Sequence, residues 1–308
     1  MEWIPLLVTV VGLSLFEIIN SVDNAIINAE VLGTVGPKAR KWFLTWGILF
    51  AVFIVRGFLP LLIVFFAIPG LGLGGAWSAT FSSDPAVISA IEHATPLLLM
   101  GAGTFLLLLF LHWLFIEEKH YGLFHEPFIH KNGIWFYAVV SIILCLLVWF
   151  GLRIDPYFAF SIVVGSSAFF ITQGFKENAA QMERQLISSN MSDWSKVIYL
   201  EVLDLTFSID GVLGAFAFTF AIPLILIGNG IGAIVLRQLT VMNIDRIKQY
   251  IYIKNGAMYS ILCLGLIMLG EGFGMHIPFW LSPSVTLFFI GLFFWKSHVH
   301  IKNTNLNT

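Results

Sequence analysis

The 308-residue chain is 58% apolar and only 11% charged, against roughly 25% charge in a soluble domain, which excludes an ordinary water-soluble enzyme. Sixteen basic and eighteen acidic residues leave a formal charge of −2, so the basic patch that nucleic-acid binding calls for is missing. Thirty Phe, ten Trp and a mean hydropathy of +0.89 describe instead an all-α, polytopic helical membrane protein built of spans near the ~20 residues that cross a bilayer core.

In chain order, apolar segments fall near residues 4–29, 42–66, 95–116, 134–152, 156–174, 197–220, 223–242, 256–273 and 279–296, which predicts about nine transmembrane helices. The tightest connections run from Arg153 to Pro156 and across Ile222 and Pro223, where proline suits a turn or a kink. The start, Met1 to Trp3, lacks the basic n-region of a cleaved signal peptide, so the first span reads as retained. Basic residues alternate with the spans: Lys38, Arg40, Lys41, Lys119, Lys131, Lys176, Arg184, Lys196, Arg246, Lys248, Lys254, Lys296 and Lys302 all follow odd-numbered spans. By the positive-inside rule this predicts a multi-pass protein of the cytoplasmic (inner) membrane, with the N-terminus outside and the C-terminus cytoplasmic. Cys145 and Cys263 are the only cysteines, and both lie in apolar runs, so neither a disulfide framework nor a thiolate metal site is available.

A charge at the bilayer centre costs on the order of 2.5–3.5 kcal/mol on insertion scales, so the charges that persist there usually face a cavity and carry function. Span one holds Glu17, Ser21, Asp23 and Asn24; span six holds Glu201, Asp204, Ser208 and Asp210, followed by Gly211. Both contain acid-x-x-x-Ser-x-Asp, from Glu17 to Asp23 and from Asp204 to Asp210. Gly47 precedes Arg56 in span two by the same spacing as Gly228 precedes Arg237 in span seven. The charge rule gives spans one and six opposite directions, which predicts inverted-topology repeats of about 1–152 and 197–296. These form one integral membrane domain over 1–308 with a cytoplasmic connector at 175–196. Such repeats place a transport site at mid-membrane, where the two copies meet.

At about 100° per residue, Glu17, Ser21, Asn24 and Asn28 share one helix face, as do Glu201, Asp204 and Ser208. Asp23 and Asp210 fall roughly 120° from their partner acids, so a local helix break near Ser-x-Asp is expected, eased in the second copy by Gly211. The oxygen donors Glu17, Asp23, Asn24, Asp204 and Asp210, supported by Ser21, Ser208 and Glu201, suit a hard divalent cation such as magnesium, calcium or manganese. Arg56 and Arg237 read as charge compensation, because a guanidinium pairs with carboxylate and repels a cation.

Glu17 with Ser21 to Ala25, Asp204 with Phe207 to Val212, Gly47 to Arg56, Pro96 to Gly103 and Gly228 to Arg237 together resemble the signatures of the TerC family, named for tellurium resistance. That resemblance implies inverted three-helix repeats and manganese efflux, with Glu17, Asp23, Asn24, Asp204 and Asp210 as the metal ligands and transported Mn2+ as substrate rather than prosthetic group. The expected function is therefore export of manganese or a similar divalent cation. Alternatives are an accessory factor that delivers metal beside a secretion complex and an exporter of small organic solutes. No catalytic residues are expected, since the Tyr-Asp and Gly-x-Gly-Asp pairing of intramembrane aspartyl proteases is missing. The partners implied are the lipid bilayer and a divalent cation, with no nucleic acid; a homo-oligomer and contact with a secretion complex stay open. The His- and Glu-rich stretch from Glu117 to His130 reads as a solvated cytoplasmic loop.

Overall fold

The computed structural model describes residues 3–47, 50, 72, 74–75, 85–188 and 191–306; within these, the side chains at 23–24, 27, 30, 85–94, 179–188, 203–209, 237, 239–248 and 304–306 lie outside the description. Among the described residues the regular structure is entirely helical. α1 (Trp3–Asn20), α2 (Val22–Gly33) and α3 (Pro37–Trp42) lead into a π-helical turn, Phe43–Gly47. The long α4 (Pro85–Phe115) and short α5 (Glu126–Lys131) follow, then α6 (Phe136–Ile154), α7 (Pro156–Ser188), α8 (Asp193–Ala215), α9 (Ile222–Gln249), α10 (Ile253–Gly272) and α11 (Leu281–Leu306).

Among the described residues six helices are long and apolar enough to cross a membrane, within α1, α4, α6, α7, α10 and α11. Three of the nine expected spans are not among these six. Segment 42–66 lies mostly outside the described residues, and segments 197–220 and 223–242 form α8 and α9. α8 is interrupted by its own acids, Glu201, Asp204 and Asp210, and the apolar part of α9 is short, Ile222–Leu236. Both predicted turns are present: extended Asp155 separates α6 from α7, and α9 begins at Ile222 with Pro223 in its first turn, where a missing N–H costs nothing.

α4 is the centre of the bundle. From Phe105 to Phe115 its sequence is apolar on nearly every side, with His112 the exception, and a helix without a polar face is stable only when surrounded. Phe105, Leu106, Leu108 and Trp113 are all almost fully buried. α10 packs on one side of it and α7 on another. Small residues permit the approach, as lipid-embedded helices require. A Cβ on Gly103 would lie 3.0 Å from the Gly265 carbonyl oxygen, and one on Gly265 would lie 3.2 Å from that of Gly103. α6 and α11 flank this core, adding Phe136, Val140 and Phe293 to it and presenting Ile142, Trp149, Phe288 and Trp295 outward.

The stretch expected to be a solvated loop is a packed cap. Glu126 is fully buried and accepts hydrogen bonds from the Gly122 N–H at 2.7 Å, Asn255 Nδ2 at 3.0 Å and the Tyr259 hydroxyl at 3.0 Å. His125 Nε2 lies 2.8 Å from the same Tyr259 hydroxyl. Lys119 donates to the carbonyls of Trp113 and Leu114 at the end of α4, where the helix dipole favours a cation. Lys254 pairs with Glu117, and Lys296 donates to the Gly122 carbonyl. Burial pushes the Lys119 ammonium down to about 8, against the opposing pull of Glu126 and Glu117. Three separate helices, α4, α10 and α11, are thereby tied together at one end. The loop reads as solvated in sequence because its partners on α10 lie far along the chain.

Candidate functional site

α1 is positioned by α9, against which it packs along its length. Ser14 Oγ donates to the Gly228 carbonyl at 2.9 Å. A Cβ on Gly232 would fall 2.6 Å from the Ser14 carbonyl oxygen and 2.7 Å from Glu17 Cβ, closer than any real side chain could sit. Gly232→Val is therefore expected to push α9 off α1 at a cost of about 1–3 kcal/mol for overpacking. An unchanged thermal midpoint of the detergent-purified variant would refute the close approach.

This packing holds Glu17, 0% exposed, in the interior of the helix bundle. Ser21 Oγ donates to Glu17 Oε1 at 2.6 Å. The helix break falls at this serine: α1 ends at Asn20, α2 starts at Val22, and Ser21 has φ −101° and ψ 4°. α8, by contrast, runs unbroken through Asp210 and Gly211, which corrects the expectation that Gly211 eases unwinding in the second copy. A Cβ on Gly211 would be 3.4 Å from Glu17 Oε2 and 3.5 Å from Asn20 Nδ2, so α1 brings its first acid to the residue beside Asp210.

Asp210 is 7% exposed. Its Oδ2 accepts from Lys176 Nζ at 2.7 Å, with the two side chains 9% and 14% exposed, while its buried Oδ1 has no hydrogen-bond partner. Lys176 is the residue beside Asp210 that sequence reasoning misses. By position alone it marks the cytoplasmic side, within a connector at 175–196. α7 in fact continues as one helix to Ser188 and α8 starts at Asp193, so the chain doubles back and Lys176 reaches Asp210 across the turn. A signal exists in its position: a lysine at the end of an apolar run followed at once by more helix has neighbours to pair with.

The structure thus brings together Glu17, Ser21 and Asp210 from the expected set and adds Lys176. It does not bring Glu201 to them. Glu201 is 6% exposed and its carboxylate fills the space where a Cβ on Gly47 would stand, nine residues from Asp210, or about 14 Å along the helix axis at 1.5 Å per residue. The side chains of Asp23, Asn24, Asp204, Ser208, Arg56 and Arg237 lie outside the described residues. Compensation of Asp210 comes from Lys176, not from an arginine that the structure describes. Among the described residues no three His, Cys, Asp or Glu side chains converge as metal ligands.

Residues 22–304 match the family model described as "Protein of unknown function (DUF475)". The chain belongs to the DUF475 family. Over 85 residues it is 32% identical to the uncharacterized membrane protein YceF of Bacillus subtilis (strain 168), a match covering 28% of this chain and 33% of that protein. The chain thus spans about a third of that relative's length. No solved structure matches. These findings overturn the resemblance to the TerC family: the family that covers the chain is a different one. The acid-x-x-x-Ser-x-Asp pattern spans only seven residues in each helix, too few to carry a family assignment against a match over residues 22–304. Manganese as the particular cargo rested on that resemblance and goes with it. With six helices apolar enough to cross a bilayer and a membrane-protein relative, the chain is a multi-pass membrane protein.

Proposed function

We propose that this protein is a membrane transporter for a small hard divalent cation, bound by carboxylates where α1 meets α8. One observation carries the reading: Glu17, fully buried, has its Oε2 3.4 Å from where a Cβ on Gly211 would stand, next in sequence to buried Asp210, so two non-adjacent helices each bring an acid to the same region of the bundle. Buried acids are expensive in a bilayer and mark ion or substrate pathways by default. Oxygen donors of this kind select magnesium, calcium or manganese over softer metals.

Inverted repeats are part of the proposal. Ser14 and Glu201 occupy the same place relative to the two acidic signatures, three residues before Glu17 and before Asp204. Ser14 contacts Gly228 of α9 and Glu201 contacts Gly47, the two glycines that occupy equivalent places before Arg237 and Arg56. Each copy's acidic helix therefore packs on the other copy's second helix, which supports a two-fold relation across a shared site. The charge distribution supports an N-terminus outside and a cytoplasmic C-terminus in the cytoplasmic membrane.

The test is flux into proteoliposomes, with Mg2+, Ca2+ and Mn2+ compared in one assay. Glu17→Gln and Asp210→Asn are each expected to lower the flux of the carried cation at least about tenfold, the scale of losing roughly 1.4 kcal/mol of interaction with the passing ion. Wild-type flux in both variants, or no flux of any of the three cations through the wild-type protein, would overturn the proposal.

A further inference from the structure

The transport reading leaves one group unused: the lysine that already sits on the candidate site. Lys176 Nζ lies 2.7 Å from Asp210 Oδ2, and both side chains are largely buried. A surface pair of this kind would be held loosely and contribute little. Here both charges are desolvated, so each depends on the other to stay in the bundle. Meanwhile Asp210 Oδ1 is buried with no hydrogen-bond partner, and Glu17 Oε2 lies 3.4 Å from where a Cβ on the adjoining Gly211 would stand. The carboxylate is thus held by one oxygen and presents the other.

We propose that Lys176 is a tethered substitute for the transported cation: its ammonium occupies Asp210 when the site is empty and is displaced when a divalent cation binds. The inference rests on the transport reading above and adds how the empty site changes sides. Charge balance at Asp210 favours it: a bound divalent cation compensates this carboxylate in the loaded state, and the ammonium compensates it in the empty one. An uncompensated buried carboxylate would resist the rearrangement that carries it past apolar neighbours, whereas a paired one does not. Lysine suits the role, since its compact ammonium rides on a flexible four-carbon stem and can withdraw, as a planar guanidinium held in a fork cannot do so readily.

The consequence separates two modes of transport. Net movement requires the empty site to return, so it needs Lys176; exchange of one cation for another returns a loaded site and does not. The experiment uses the full chain in proteoliposomes, with isotopically labelled Ca2+ and Mn2+ as probes. Net efflux and labelled-for-unlabelled exchange are measured side by side for wild type, Lys176→Met and Lys176→Arg. Lys176→Met is expected to lose net efflux at least about tenfold more than it loses exchange. Lys176→Arg, which keeps a tethered cation, is expected to recover part of the net efflux. In detergent, Ca2+ or Mn2+ should bind Lys176→Met at least about tenfold more tightly than wild type, because the internal competitor is gone; a residue that merely supported the fold would weaken binding instead.

Undiminished net efflux in Lys176→Met overturns the inference, as does parallel loss of efflux and exchange in a variant that still folds, or weaker cation binding in that variant. Wild-type protein that carries neither probe in either mode, and no Mg2+ either, overturns the transport reading itself.

Discussion

Lys176→Met with Asp210 left in place is expected to destabilise the folded protein by about 3–5 kcal/mol, the cost of stranding one member of a buried ion pair. The exposures decide this magnitude: with the side chains 14% and 9% accessible, water cannot replace the lost ammonium as it would at a surface, where such a pair is worth about 0–1 kcal/mol. Adding Asp210→Asn to the same chain removes the stranded charge and is expected to recover most of the loss. Unfolding of the detergent-purified variants by titrated dodecyl sulfate measures all three states. A loss below about 1 kcal/mol in the single variant would mean that the pair is solvated. The double variant also separates structure from transport, because it is expected to fold well yet carry no cation.

The second large effect lies at the other polar centre. Glu126→Ala is expected to cost about 3–5 kcal/mol, because hydrogen bonds to a charged acceptor contribute about 1.5–3 kcal/mol each and the donors left behind are buried. The donors are the Gly122 N–H, Asn255 Nδ2 and the Tyr259 hydroxyl. Glu126→Gln should be far milder, within about 1.5 kcal/mol, the scale of a single ordinary hydrogen bond. Its amide oxygen can accept from Gly122 and Asn255, and Tyr259 still has His125 Nε2 at 2.8 Å. Equal losses in the two variants, read from thermal midpoints in one detergent, would show that side-chain volume matters here and the oxygen acceptors do not. Because the cap joins α4, α10 and α11, the alanine variant should also expose Trp113, which a quenching measurement reports.

How much of this is legible in the sequence differs from residue to residue. Glu17 and Asp210 stand out because an acid inside an apolar run is costly enough to need a reason, and both are buried in the structure. The turns at Asp155 and Pro223 are legible because proline restricts the chain locally. A break at Gly211 is expected but absent, since glycine permits unwinding without requiring it. Lys176 is hidden because a lysine at the end of a span satisfies the positive-inside rule whichever way its side chain turns. Glu126 is hidden because its donors Asn255 and Tyr259 lie 129 and 133 positions away along the chain.

What the sequence by itself determined is solvent and secondary structure. An 11% share of charge with apolar runs of helical length commits the chain to the bilayer, since unpaired backbone groups there leave only helices or closed barrels. The tertiary structure alone decided which of these groups meet: Glu17 comes within 3.4 Å of the Cβ position at Gly211, and Asp210 pairs with Lys176. Pairing depends on which helices lie side by side, and in lipid that choice is made by close packing of small residues, as at Gly232 against Ser14 and Glu17. Periodicity along one helix carries no record of the helix beside it.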